Sequence, residues 1–199
     1  MRPITLLITS SVIMSALVAC VGINKTPQNI AVYDFGLSIP NESNQQITSK
    51  LVLETPIAAE SLNHNKIHYR LNYQNPLRVF FYAESRWSGT PAELFSNKLS
   101  KMVNLTKTPM NCSLKIKVEA FDQVFNTSVT SEGVVQLSAL IVEKKSQKVI
   151  SSQLITESVT SLSPNAQGGA AALQQASENA LKRLINWGNL TADSNEFCR

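Results

Sequence analysis

The chain has 199 residues, 43% of them hydrophobic and 16% charged, which is enough apolar material for a folded core and argues against a disordered chain. Eighteen Lys and Arg against fourteen Asp and Glu give a net charge of +4, too mild a balance to indicate a nucleic-acid partner. Seven Gly, eight Pro and three Cys exclude collagen-like, low-complexity and disulfide-dense scaffolds.

Met1-Arg2 followed by the apolar run from Ile4 to Val18 has the n-region and h-region of a secretory signal peptide. Thr5, Thr9, Ser10, Ser11 and Ser15 thin the run, and Asn24-Lys25 end it, so it reads as a leader rather than a retained spanning helix. It closes on Leu17-Val18-Ala19-Cys20, which resembles a bacterial lipobox. That resemblance implies cleavage before Cys20, a diacylglyceryl thioether on its sulfur and an N-acyl chain such as palmitate on its new amino group. Two or more acyl chains satisfy the requirement for stable membrane anchoring. Val21 rather than Asp follows, which resembles the outer-membrane sorting pattern. The expected organisation is a signal peptide over 1–19, a lipidated tether over 20–29 and one domain over 30–199. At ~3.3–3.6 Å per residue, Val21 to Asn29 reach at most about 30 Å, so the domain stays close to its leaflet.

With Cys20 acylated, Cys112 and Cys198 are the remaining thiols, and an oxidising compartment favours a disulfide between them over free or metal-binding thiols. In the chain-entropy model a closure of that length contributes up to roughly 4–5 kcal/mol.

In chain order, Ala31–Leu37 reads as a first strand and Lys50–Glu54 as a second, separated by a loop punctuated by Pro, Asn and Ser. Ile67, Tyr69, Leu71 and Tyr73 alternate with polar residues, Asn75-Pro76 marks a turn, and Arg78–Ala83 is rich in β-branched and aromatic residues; together they predict a β-hairpin. Thr90, Pro91 and Glu93 spell a capping box with proline at the first helical position, and Ala92, Phe95, Leu99 and Met102 give that helix an apolar face. Leu114, Ile116, Val118 and Ala120 alternate with Lys115, Lys117 and Glu119, followed by a long strand over Gly133–Glu143, a polar tip at Lys144–Gln147 and a return strand over Val149–Thr156. A last helix is expected to open at Ser163-Pro164, to bury Leu173, Ala176, Ala180, Leu181, Leu184 and Trp187, and to stop at Gly188. This order predicts an α+β, two-layer domain: a mainly antiparallel or mixed sheet with two amphipathic helices on one face.

No GxSxG elbow, Walker loop or HExxH motif is present, and Gly168-Gly169 lacks the strand that precedes a dinucleotide site. His64 and His68 read as a loop entering a strand rather than as metal ligands, Glu84 and Arg86 as a solvated rim, and Asp122 as a turn or edge residue. No catalytic residue, metal ligand or dissociable cofactor is assigned, and the protein is expected not to be an enzyme. Phe80, Phe81, Tyr82 and Trp87 cannot all face one side of a regular strand, so Phe80, Tyr82 and Trp87 are candidates for an interface.

The run FFYAESRWSGTPAELFSNKL (Phe80–Leu99), the strand carrying KIKVEAFDQVF (Lys115–Phe125), the hairpin after it and the C-terminal amphipathic helix resemble the ABC-type transport auxiliary lipoproteins, the PqiC-like family. The resemblance spans approximately Ile30 to Leu190. It implies a lipoprotein anchored at the periplasmic face of the outer membrane of a Gram-negative bacterium, with an MCE-domain protein or ABC transporter complex as partner in intermembrane lipid transport. It also implies self-association into rings. An envelope-assembly lipoprotein, a secretin pilot or a cell-wall synthase activator, is the alternative with the same anchor and domain size.

Overall fold

A computed structural model describes residues 29–37, 47–105 and 110–198. The leader and Cys20 lie outside the described residues. The described chain builds a mixed sheet with two helices against one face, the expected two-layer α+β arrangement.

The sheet runs in the order β1 (Ala31–Tyr33), β6 (Asn75–Trp87), β5 (Lys66–Leu71), β8 (Cys112–Phe125), β9 (Ser131–Glu143) and β10 (Val149–Thr160). β5 and β6 form the expected hairpin, and β8, β9 and β10 form an antiparallel meander. β1 pairs parallel with β6, and β5 pairs parallel with β8. The second of these needs a crossover, which β6 and the helix α1 (Pro91–Met102) provide. Of the run expected as a strand over Lys50–Glu54 only Val52–Leu53 is one, with short strands on either side of the run. β2 (Ile47–Ser49) leaves to pair with β7 (Val103–Leu105), while β3 (Val52–Leu53) and β4 (Ile57–Ala58) pair in turn with the first half of β8. Leu51, at the break, is buried, and the Ser49 hydroxyl bonds to Leu51 O at 2.9 Å, so a local turn replaces the continuous ladder.

Helix α1 begins where its capping box predicts: the Thr90 side chain accepts from Glu93 N and the Glu93 carboxylate accepts from Thr90 N. It buries Leu94, Phe95 and Leu99. Helix α2 (Ala166–Ser194) starts later than expected, with Asn165 rather than Ser163 as its cap, accepting from Gly168 N at 2.9 Å. It also ends later. Gly188 does not stop it, because the helix continues to Ser194 with Gly188 buried against the sheet, where a Cβ would lie 3.0 Å from Leu51 Cδ1. A glycine near a helix end serves here as a close-packing position, not a C′ residue.

Two bulges decide which residues face the helices. Between Val118 and Ala120, β8 advances two residues while β9 advances one. The single extra residue moves the buried positions from Leu114, Ile116 and Val118 to Phe121, Gln123 and Phe125, and turns Ala120 out of the core sequence the alternation implied. In β6 the shift is larger: Lys66 pairs with Arg86 but His68 pairs with Phe81, leaving three extra residues on β6. Three is odd, so the facing of side chains reverses across this stretch.

A disulfide joins Cys112 at the start of β8 to Cys198 in a short 3-10 turn, Glu196–Cys198, with a Cα–Cα distance of 5.0 Å. It holds the chain after α2 to the sheet.

Candidate functional site

The aromatic strand β6 carries different chemistry on its two faces. On the helix side, Tyr69 of β5 stacks on Phe80 at 5.2 Å between ring centroids and meets Tyr82 at 4.7 Å and Phe125 at 5.9 Å. The Tyr82 hydroxyl donates to Gln123 Oε1 at 2.8 Å, and Gln123 Nε2 donates to the Ser131 hydroxyl at 2.8 Å. Burial pushes the Tyr82 phenol upward, so it remains a donor. Phe80 and Tyr82 are half-buried, with the Arg78 guanidinium 4.5 Å above the Phe80 ring.

Trp87 is not an interface residue. It is 0% exposed and lies among Phe35, Phe121 and Phe95, its ring 5.0 Å from Phe121 and 5.9 Å from Phe35. Strand parity would separate Trp87 from Tyr82, but the three extra residues in β6 turn both toward the helices. Phe81, on the opposite face, is the aromatic residue that this strand presents to solvent, at 45% exposure.

Beside Phe81 the open face of the sheet holds a line of polar contacts. Asp122 is buried in the middle of β8, not at a turn or edge; its carboxylate accepts from His68 Nδ1 at 3.1 Å and from Arg70 Nε at 2.8 Å. His68 Nε2 lies 3.1 Å from His64 Nε2, and His64 Nδ1 accepts the Lys66 backbone N–H at 3.2 Å. These partners set the tautomers. The carboxylate can only accept, so His68 carries its proton on Nδ1; the Lys66 amide occupies His64 Nδ1, so His64 donates through Nε2. Burial raises the Asp122 pKa, but hydrogen bonds from His68 and Arg70 and the charge of Arg70 outweigh it and hold the carboxyl below its usual range. His64 is held below its ordinary value, first of all by burial. Phe81 closes the cluster edge-on against both imidazoles, at 5.6 and 4.9 Å, with Lys66 Nζ 4.7 Å from its ring.

This relay of bonds ends on an arginine and a backbone amide rather than on a hydroxyl or thiol nucleophile. Among the described residues no group of three or more His, Cys, Asp or Glu side chains is placed to hold a metal ion. A surface cleft of about 460 Å³ between the connection after β3 and helix α1 is lined by Thr55, Pro56, Gly89, Ala92, Ser96 and Asn97 among others, a set with no paired acid and base. His64 lies in the loop and His68 in the strand it enters, as their sequence context implies. The four-residue spacing brings them together because the chain turns sharply through Asn63–Asn65 before β5, and no periodicity rule reports that turn. No helix among the described residues is long and apolar enough to cross a membrane.

No family model matches the chain and no curated protein matches it. Solved structures do share the fold. Protein XCC0632 from Xanthomonas campestris, assigned to the family model DUF330, superposes with a TM-score of 0.67 at 19% identity, covering 82% of this chain and 98% of that one. An uncharacterized protein superposes with a TM-score of 0.54 at 12% identity, covering 80% and 97%. Lipoprotein GNA1162 from Neisseria meningitidis matches with a TM-score of 0.29 at 14% identity, covering 70% of this chain and 99% of that one.

Proposed function

We propose that this chain is a lipoprotein of the periplasmic face of the outer membrane that acts as a non-catalytic accessory or docking subunit of an MCE/ABC-type intermembrane lipid transport system. The observation that carries the reading is the one-sided sheet. Both helices pack on one face, and among the described residues the other face bears a half-exposed Phe81 beside a bonded polar cluster, which supports reading it as a contact surface. The lipobox at Cys20 supplies the anchor, carrying diacylglycerol and an N-acyl chain as its only expected prosthetic groups. The resemblance from Ile30 to Leu190 supplies the transport assignment, and the fold shared with a DUF330 protein supports the architecture behind it.

In-cell cross-linking of the tagged, lipidated protein, followed by affinity purification and mass spectrometry, tests the reading. The expected result is an MCE-domain subunit or its permease as the dominant cross-linked species, with peptides from β5, β6 or β8 in the contact. Recovery of secretin or peptidoglycan-synthase components in their place overturns the transport reading in favour of envelope assembly.

A further inference from the structure

Three connections meet at one end of the sheet. The β5–β6 turn lies beside the β8–β9 turn, because Leu71 pairs with Phe125 and Asn72 N donates to Phe125 O at 2.9 Å. The chain leaving β10 joins them through a 2.9 Å bond from Ser161 N to Ser131 O. This end carries large apolar side chains in water: Leu77 at 87% exposure, Val129 at 70%, Leu162 at 97%, and a half-exposed Tyr73. Residues 72–77, 126–130 and 161–165 contain no Asp, Glu, Lys or Arg. Charges stand immediately behind them: Arg78 lies over Phe80, Arg70 is paired with Asp122 and donates through Nη1 to Pro76 O at 3.3 Å, and Glu132 accepts from Asn126 Nδ2 at 3.1 Å.

The direction of β1 says what this end faces. β1 runs parallel to β6, with Ala31 opposite Ser85 and Tyr33 opposite Trp87. β6 runs away from the three turns, so the N-terminal end of β1 points toward their side. From Ser85 back to Leu77 is at most about 26 Å at ~3.3 Å per strand residue, and less because β6 bulges between Arg86 and Phe81. From Cys20 to Ala31 the chain can span at most ~36–40 Å. A chain of that length can therefore reach the level of the turns from Ala31 with length to spare.

We infer that the three-turn tip of Tyr73, Leu77, Val129 and Leu162 is a membrane-seating surface that rests in the headgroup region of the leaflet holding Cys20. Apolar side chains and a tyrosine without charge enter the interface, and Arg78 meets lipid phosphates just above it. An uncharged apolar patch facing bulk water would otherwise be a liability. The inference rests on the lipidation of Cys20 proposed above.

With Cys112 and Cys198 joined and Cys20 acylated, one introduced cysteine provides a unique labelling site. Leu77→Cys, Val129→Cys and Leu162→Cys, with Lys145→Cys at the opposite end as control, would each carry a polarity-sensitive fluorophore on the full-length lipidated protein. The samples would be reconstituted in vesicles of phosphatidylethanolamine and phosphatidylglycerol. A quencher attached to the lipid acyl chain is expected to reduce emission about twofold or more at the three tip positions and to leave Lys145→Cys unchanged. Tip probes that escape quenching overturn the inference. So do tip probes that respond only to protein concentration alongside a dimer in sedimentation, since the tip then seats a second copy. The failure of lipidation is read separately: the wild-type protein takes up the thiol probe only if Cys20 is free, and that result removes the anchor and the orientation argued from it.

Discussion

Gln123 Oε1, fully buried on β8, accepts the Tyr82 hydroxyl at the point where Gly169 of α2 crosses the sheet. A Cβ on Gly169 would lie 2.0 Å from that oxygen, and Gln123 cannot swing aside without losing its bonds to Tyr82 and Ser131. Gly169→Ala would gain about 1 kcal/mol of helix propensity. Overpacking costs typically ~1–3 kcal/mol, and here it also breaks a buried bond, so the substitution is expected to destabilise. Gly133→Ala is expected to cost more, because its Cβ would lie 2.5 Å from the backbone nitrogen of Leu173, which has no rotamer to change. Denaturant midpoints of the two variants check both the sign and the order.

Asp122 makes a distinct acid-range contribution. Its folded pKa lies below the ordinary value of 3.8, so the unfolded chain binds more protons in that range and the stabilisation, complete above about pH 4, is lost as pH falls through the folded pKa. Asp122→Asn is expected to lower stability at pH 7 by ~1–3 kcal/mol, since His68 and Arg70 lose a charged acceptor in a buried setting. It is also expected to flatten the decline of stability below pH 4. Chemical denaturation of both proteins across pH 2–7 reads the two effects.

His64 titrates in a higher window. Its folded pKa is lowered from 6.5, so the neutral form is the one the fold favours, and the contribution present above pH 6.5 is lost on acidification through the folded value. His64→Gln is expected to remove the pH dependence between 6.5 and the folded pKa while leaving the Asp122 window in place. The chemical shifts of the two imidazoles, followed by NMR against pH, give the independent check.

The Cys112–Cys198 bridge closes a separation of 86 residues and ties the chain after α2 to the sheet. Reduction is expected to cost ~2–4 kcal/mol and to release the Glu196–Cys198 turn before the sheet opens. Thermal unfolding with and without reductant measures the first effect, and amide exchange at residues 195–198 measures the second.

Thr90→Ala removes the acceptor for Glu93 N and half of the capping box. The expected loss is ~1 kcal/mol, within the ~0.5–2 kcal/mol range of such caps, and a Thr90→Ser variant is expected to restore most of it. Equilibrium denaturation of the pair tests this.

The amino-acid order alone determined the hairpin of β5 and β6, the meander from β8 to β10, the capping box at Thr90 and two helices with an apolar face each. All of these depend on short-range rules: alternation by two, recurrence at three and four, and a side chain bonding three residues on. Cys112 and Cys198 were also legible as a pair, because one partner was available to each once Cys20 was set aside. Tertiary structure alone decided the rest. One extra residue after Val118 and three in β6 reverse which side chains meet the helices, so Trp87 joins the core while Phe81 faces out. A bulge is a compromise between two strands and leaves no mark in either strand alone. Gly188 continues inside a helix at a point where Leu51 and Leu114 leave little room for a side chain, and Asp122 is buried where Arg70 and His68 arrive from a neighbouring strand 52 to 54 residues away to bond it. Those outcomes are set by partners brought together from distant parts of the chain, where packing and desolvation outweigh local preference.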